Sequence, residues 1–305
     1  VDTFTHALVT GLILYPVGRK DLIIWGVIGG IILDLDVILL PFSDPYPSLF
    51  IFSHGGITHS LIGAAIISVG VFILFRRILC GALVQDRLFS RLPVLREYIP
   101  GIAPSYALLA VAAGAFLHLG LDCCLSPGLP LLYPLSLQKY TLGMLSGSSM
   151  ILLLGSLVFT GLLIFQKITP RHLKVYAVLF LAVLLFSAGM KVYVEGTSEG
   201  RTIPTLNPFS WLVIEESSST YRFQEYDVFG GITNEMIFEK FRNVTTEESE
   251  EYTILPEIQR LEYFSYLVIV EKNSTTITFH DPLREEQIIW YPPYYTTVVL
   301  PQTTT

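Results

Sequence analysis

Four of the six histidines, His6, His54, His59 and His118, and three carboxylates, Asp34, Asp36 and Asp122, stand in or beside long apolar runs. An acid at mid-bilayer costs on the order of 2.5–3.5 kcal/mol, so such residues pair, ligate an ion or line a cavity. Imidazole and carboxylate together suit zinc, manganese or iron. His118 and Asp122 are four residues apart, so on a helix they share a face and can hold one ion or bridge two. Asp2 and His6 repeat that spacing. Asp34 and Asp36 are two apart, about 200° around a helix, so a regular helix cannot turn both to one ion. Either the helix loosens there or one acid acts from behind a ligand. His54-Gly55-Gly56-Ile57-Thr58-His59 starts with a flexible glycine pair, and Thr58 is placed to cap the helix that follows. That segment offers a loop donor and then a helical donor.

The apolar runs that must carry these residues fall at about 4–17, 21–41, 57–75, 105–125, 147–166 and 172–190. A helix of about 20 residues crosses a bilayer core. The pattern predicts a mainly α membrane protein, a bundle of about five or six transmembrane helices in which the first run is short enough to span only in part. Lys and Arg in short loops mark the cytoplasmic side. Arg19 and Lys20, then Arg76, Arg77, Arg87, Arg91 and Arg96, then Lys167, Arg171 and Lys174 fill alternate loops. Residues 41–56 have no cation, and 126–149 have only Lys139. Runs one, three and five are thereby read as entering the cytoplasm. This topology, set by cations alone, brings His6, Asp34, Asp36, His54, His59, His118 and Asp122 to one depth near the outer face. A pathway through the membrane would spread such residues over several depths.

Composition divides the chain sharply. Residues 1–191 hold 8 of the 26 Asp and Glu and 12 of the 19 Lys and Arg, and 192–305 hold the remaining 18 and 7. The first part reads as the transmembrane helical domain with the candidate site. The second reads as an acidic, β-rich extracytoplasmic domain with a disordered tail at Gln302–Thr305. Short alternating segments at Trp211–Glu215, Thr220–Gln224, Tyr266–Glu271 and Thr275–His280 predict strands. Lys272-Asn273-Ser274 is the turn between the last two, and the acidic stretch Thr245–Glu251 is a solvated loop. The sequons at Asn243 and Asn273 agree with an outer location. Cys80, Cys123 and Cys124 sit in or beside apolar runs and read as small hydrophobes rather than a disulfide framework. His172 reads as a surface residue and His280 as a strand residue without an evident partner. The cations are scattered in short loops, which argues against nucleic-acid binding.

Taken together, Thr5-His6-Ala7, Leu33-Asp34-Leu35-Asp36, His54-Gly-Gly-Ile-Thr-His59-Ser60 and His118-x-x-x-Asp122 resemble the YdjM-like family of membrane-bound metal-dependent hydrolases. Tyr133-Pro134-Leu135-Ser136 resembles the stretch that follows the HxxxD pair in that family. Pro204, Asn207-Pro208 and Trp211 resemble its post-membrane segment, and Asp281-x-x-Arg284 faintly resembles a terminal motif. A more distant similarity runs to zinc phospholipase C and P1-type nucleases, in which an HxxxD pair helps hold a zinc cluster. From those enzymes only His118 and Asp122 carry over by motif. The resemblance implies a divalent metal, zinc ahead of manganese or iron, with one to three ions.

These readings combine into an expected hydrolase at the outer membrane face, with His6, His54, His59, His118 and Asp122 as ligands. Asp34 or Asp36 would ligate, bridge two ions, or take a proton from the attacking water. The depth favours an amphipathic or lipid substrate, a phosphoester or an ester. Lys139, Lys191 and Arg201 are the few cations placed to hold a phosphate. The competing classes are an ion or proton transporter lined by the same residues, and a membrane scaffold in which the metal only ties helices together.

Overall fold

The computed structural model of the chain describes residues 2–15, 20–79, 104–147, 149–165, 169–288 and 295–299. Arg19, Cys80, Arg87, Arg91, Arg96, Lys167 and the Gln302–Thr305 tail lie outside the described residues. By internal contacts the chain divides into two compact units. One comprises Val1–Leu40, Phe52–Val192 and Pro204–Pro208; the other comprises Pro41–Ile51, Tyr193–Ile203 and Phe209–Thr305.

The first unit is helical. Its elements are α1 (Thr3–Leu14), α2 (Lys20–Ile32), a 3-10 segment (Leu33–Leu39), α4 (Leu61–Leu79), α5 (Pro104–Asp122), α6 (Met150–Ile164) and most of α7 (Pro170–Thr197). The short α3 (Leu40–Ser43) follows the 3-10 segment. Among the described residues three helical stretches are long and apolar enough to cross a membrane, Leu22–Ser43, Pro104–Asp122 and Arg171–Thr197. A fourth is a bent pair, Pro47–His59 with Leu61–Arg77, whose halves meet at 77°. Two further apolar helices are shorter. The 12 residues of α1 rise only about 18 Å at 1.5 Å per residue, against a hydrocarbon core of roughly 30 Å. Among the described residues the six apolar runs thus become three or four stretches long and apolar enough to cross a membrane and two shorter helices.

The regular helix gives way where the two acids stand. Leu33–Leu39 is 3-10 in form, with Leu33 and Asp36 buried and Leu35 and Val37 exposed. The bend between His54 and α4 follows from Gly55, whose φ of +78° lies in the left-handed region that costs glycine nothing.

Helices α2 and α5 make the closest contact in the unit, and glycine permits it. A Cβ on Gly29 would lie 1.9 Å from the Val111 carbonyl oxygen, and one on Gly114 would lie 2.0 Å from the Gly26 carbonyl oxygen. Gly26 and Gly30 have the small-xxx-small spacing by which membrane helices bring their backbones together. Around this seam Trp25, Ile28, Phe72, Ala107, Ala110 and Val111 form one apolar cluster. Val9, Cys124, Leu145, Leu152, Phe159, Tyr176 and Phe180 form a second, which joins α1 to α6 and α7. After α5 the chain forms a short parallel pair, β1 (Leu125–Ser126) with β2 (Leu145–Ser146). The same loop supplies the Leu131 carbonyl that accepts the Leu61 amide at the start of α4. Cys124 is buried and Cys123 half-buried, both free thiols.

The second unit is mixed. One four-stranded sheet has the order β3 (Arg201–Pro204), β4 (Ser210–Glu216), β5 (Thr220–Asp227), β6 (Gly231–Glu239). Another has the order β10 (Tyr295–Val299), β9 (Thr276–His280), β8 (Ile269–Lys272), β7 (Phe241–Arg242). The expected strands at 211–215, 220–224 and 275–280 are present, and the strand expected from Tyr266 begins at Ile269. Asn273 closes the β8–β9 turn, its Oδ1 accepting the Thr275 and Thr276 amides. The acidic stretch expected to be a loop is instead a helical turn, α8 (Thr246–Glu250). Thr245 caps it by accepting the Glu248 amide, the N-terminal half of a capping box. Helix α9 (Pro256–Phe264) buries Ile258 and Leu261. Its Arg260 donates to the Asp44 carbonyl at 2.8 Å, and its Tyr263 ring lies 5.2 Å from Phe50. Before α10 (Pro282–Glu285), Asp281 is fully buried beside Arg284 at 3.2 Å, and burial pushes its carboxyl up against the pull of that guanidinium. His280 does have a partner, Glu285, at 2.6 Å from Nδ1.

The seam gives a sharp contrast among glycines. Gly114→Ala should destabilise the protein by about 1–3 kcal/mol, the usual range for overpacking. Gly161→Ala, with nothing within 4 Å of the added carbon, should be neutral or stabilise by roughly 0.5–1 kcal/mol. Thermal unfolding in detergent reads both, and equal melting temperatures would contradict the close seam.

Candidate metal centre

The site grows out of the α2–α5 seam. Because the two backbones touch, His118 on α5 reaches the backbone of α2, and its Nδ1 donates to the Gly30 carbonyl at 2.7 Å. That bond puts a proton on Nδ1, so in the neutral ring the Nε2 lone pair faces inward. His59, at the end of the Ile57–His59 turn, is fixed in the same sense. Its Nδ1 lies 3.1 Å from Asp36 Oδ2 and 2.9 Å from Thr58 Oγ1. Its Nε2 therefore also faces inward as an acceptor, 3.2 Å from Nε2 of His118.

Two carboxylates complete the convergence. Asp122, one helical turn after His118, places Oδ2 3.1 Å from His118 Nε2 and 3.7 Å from His59 Nε2. Asp34 places Oδ1 3.4 Å from His118 Nε2 and 4.0 Å from His59 Nε2. Its other oxygen accepts the Thr3 hydroxyl at 2.6 Å. His6, on α1, reaches Asp122 Oδ1 through Nε2 at 3.1 Å and stacks on the His118 ring with centroids 3.6 Å apart. The second ring nitrogen of His6 is buried and makes no hydrogen bond among the described residues.

This donor set fits a cation. With both rings neutral, two imidazole lone pairs and two carboxylate oxygens meet, an arrangement that repels itself until a positive charge, a metal ion or a proton on a ring, joins it. Four ligands about 2.0–2.1 Å from a zinc ion stand roughly 3.3–3.4 Å from one another, close to the separations found here. Two overlapping groups of possible ligands emerge, His6–Asp34–His118–Asp122 and Asp34–His54–His59, with Asp34 common to both.

Asp36 and Thr58 stand differently from the expectations. Asp36 belongs to neither group. It accepts His54 Nδ1 at 2.7 Å, His59 Nδ1 and the Thr58 hydroxyl, which occupies both oxygens. Its geometry is that of a carboxylate orienting two imidazoles, the arrangement common behind metal-bound histidines. Thr58 does not cap the helix that follows; Ser60 does, its Oγ accepting the Gly63 amide at 2.9 Å at the start of α4. The carboxylate of Asp2 is the N-cap of α1, accepting the Thr5 amide at 2.9 Å, so the Asp2–His6 spacing does not make a ligand pair. Thr3 and the Gly30 carbonyl are site residues that spacing did not reveal. A hydroxyl and a backbone carbonyl have no periodic signature, and only the Gly26–Gly30 pattern hints at the second.

A family model described as YdjM inner membrane protein matches residues 1–194, well over half of the chain and every residue of this cluster. No curated protein and no solved structure matches the chain. The more distant likeness to zinc phospholipase C and P1-type nucleases therefore gains no support.

If the cluster binds an ion, His118→Ala and Asp122→Asn should each abolish it in folded protein, as read by elemental mass spectrometry. Asp36→Asn should weaken binding by roughly 10–100-fold, the usual cost of losing a carboxylate behind a ligand. Metal at a hundred times its Kd should add about 2.7 kcal/mol to stability, and a chelator should remove it. Unchanged metal content in His118→Ala would rule this cluster out as the site.

Proposed function

Since this chain belongs to the YdjM inner membrane protein family and gathers buried imidazole and carboxylate donors within its apolar helices, we propose that it is a membrane-bound, metal-dependent hydrolase. The observation that carries the reading is the meeting of two imidazole nitrogens and two carboxylate oxygens, with separations of 3.1–4.0 Å, inside the apolar helices. The metal is zinc, with manganese or iron as the other ions such a donor set takes.

In this reading His6, Asp34, His59, His118 and Asp122 hold one ion. Such an ion supplies Lewis acidity to the scissile group and lowers the pKa of water. His118 and His59 present Nε2 because Gly30 and Asp36 hold their other nitrogens. His54 carries the proton: Asp36 fixes its Nδ1, and its half-exposed ring leaves Nε2 free to take a proton and pass it on. This gives the proton transfer to the Asp36–His54 pair rather than to Asp36 alone. The overlap of the two donor groups supports a second arrangement, in which Asp34 bridges two ions and His54 is a ligand.

The reading includes five or six crossings, with the basic loops in the cytoplasm and the acidic C-terminal part outside, as the cation distribution supports. The substrate is an amphipathic lipid. Leu35, Val37 and Ile38 are exposed beside Asp34 and Asp36, so an acyl chain can lie against them while its polar end meets the cluster. Of the cations available for a phosphate, Arg201 is engaged with Tyr266, donating to its carbonyl at 2.7 Å and lying over its ring. That engagement tilts the choice toward a lipid ester over a phosphoester.

Purified protein loaded with zinc should hydrolyse lipid esters or phosphoesters in mixed micelles, and the His59→Ala/Asp122→Ala double variant should lose both metal and turnover. His54→Gln should keep one metal per chain and lose turnover. A stoichiometry that falls from two to one in that variant would favour the bridged pair. No metal after reconstitution with zinc, manganese and iron would sink the hydrolase and leave a proton or ion pathway. Bound metal without turnover on any lipid would leave a metal-tied scaffold.

A further inference from the structure

A chain of buried hydroxyls runs beside the cluster and enters none of the roles above. Tyr176 on α7 lies with its hydroxyl 2.8 Å from Ser156 Oγ on α6. Ser156 Oγ is 2.6 Å from Thr5 Oγ1 on α1, and Thr5 Oγ1 donates to Asp2 Oδ2 at 2.6 Å. Thr5 and Ser156 are fully buried, and Tyr176 nearly so. Each hydroxyl has one proton to donate, and a carboxylate only accepts. Thr5 gives its proton to Asp2, so Ser156 must donate to Thr5 and Tyr176 to Ser156. The chain has one direction, ending on the N-cap of α1.

Helix α1 contributes one ring to the cluster, His6, which directly follows Thr5, and at its first residue the Thr3 hydroxyl, which donates to Asp34 at 2.6 Å. The rest of its contact with α6 and α7 is apolar, through Val9 against Leu152, Phe159, Tyr176 and Phe180. Apolar contact is non-directional, so it holds α1 near its neighbours without setting depth or rotation. Against α2, Thr10 sits over Gly30, where a Cβ would lie 2.6 Å from its hydroxyl oxygen. That contact limits approach without a bond of its own, and the hydrogen bond from Thr3 to Asp34 at the start of α1 is exposed. Hydrogen bonds have a fixed length and direction, and the hydroxyl chain supplies them on the face next to His6.

We propose that Thr5, Ser156 and Tyr176 are positioning residues that fix the register of α1 and so present His6 to Asp122 and to the face of His118. In its bearing on the ion the proposal rests on the metal-binding reading above. Its bearing on α1 does not.

The test uses Ser156→Ala, which removes the middle of the chain, and Tyr176→Phe, which removes one hydroxyl and keeps the ring against Phe159 and Phe180. Ser156→Thr restores a hydroxyl and serves as the rescue. Two readouts are taken on full-length protein in detergent: amide hydrogen exchange over residues 3–14 without metal, and Co²⁺ affinity with its visible absorption. Ser156→Ala should lose exchange protection in α1 with α2 and α5 unchanged, weaken Co²⁺ binding roughly tenfold and alter the cobalt spectrum. Tyr176→Phe should move both readouts in the same direction by less, and Ser156→Thr should recover them. Unchanged α1 protection with unchanged Co²⁺ affinity, even alongside a lower melting temperature, would overturn the proposal and reduce the chain to general stabilisation. If the wild-type protein binds no Co²⁺, the metal reading fails on its own, and the exchange measurement alone decides whether the chain positions α1.

Discussion

His59 and His118 face each other through their Nε2 atoms 3.2 Å apart, with Asp34 and Asp122 closing in from the sides. In water such a cluster would relax by hydration. Among apolar helices it cannot, so the surrounding protein must both enforce it and be compensated for it. Enforcement begins at the α2–α5 seam. Gly29 and Gly114 let the backbones touch, the contact brings the Gly30 carbonyl within reach of His118, and that bond aims the opposite nitrogen inward. Asp36 does the same for His59 from the other side. Each inward lone pair is thus fixed by a partner on the far edge of the same ring, which is how ligand histidines are commonly oriented. A cation is the compensation that this geometry calls for.

The same constraint explains why the helix carrying the acids is irregular. On a regular helix Asp34 and Asp36 would diverge. In the 3-10 segment Leu33–Leu39 both reach the cluster, Asp34 toward the lone pairs and Asp36 toward the backs of His54 and His59. Between and after them Leu35 and Val37 turn outward. Two acids that looked redundant in one dimension thereby divide the work, one among the donors and one behind them. The broken, 77° pair that follows brings His54 and His59 back to the same place, and Gly55 permits its turn.

Much of this was legible beforehand, and the reason is chemical. A His or Asp in an apolar run is improbable enough to announce itself, so all seven polar residues stood out before their convergence was seen. The apolar runs were visible for the same reason. What stayed hidden depends on contacts without periodicity: the Thr3 hydroxyl on Asp34, the Thr58 hydroxyl on Asp36, and the backbone carbonyl of Gly30. Run length was also a poor guide to span. The first run was already marked as short of a full span, and α1 indeed has 12 residues, but the run at 147–166 does not reveal that its helix, Met150–Ile164, has only 15. In the second unit, alternation exposed the strongest strands, while α8 went unrecognised because acidic composition outweighed the Thr245–Glu248 cap.

The gradient of burial across the cluster bears on what it can be for. His6, His118 and His59 are sealed at 0–1% exposure, Asp122 and Asp36 nearly so, and Asp34 partly open. The side chain of His54 is 51% exposed. An ion that only tied helices together would be best served by a closed shell, with every donor as deep as His118. Here the donor groups run from a sealed end at His6 to an open one at His54, and Asp34, shared by both groups, stands between. Among the described residues the open end is His54, whose Nδ1 is held by Asp36. In the hydrolase reading proposed above, that asymmetry gives substrate and protons a way to the ion, a need that a closed structural shell does not have.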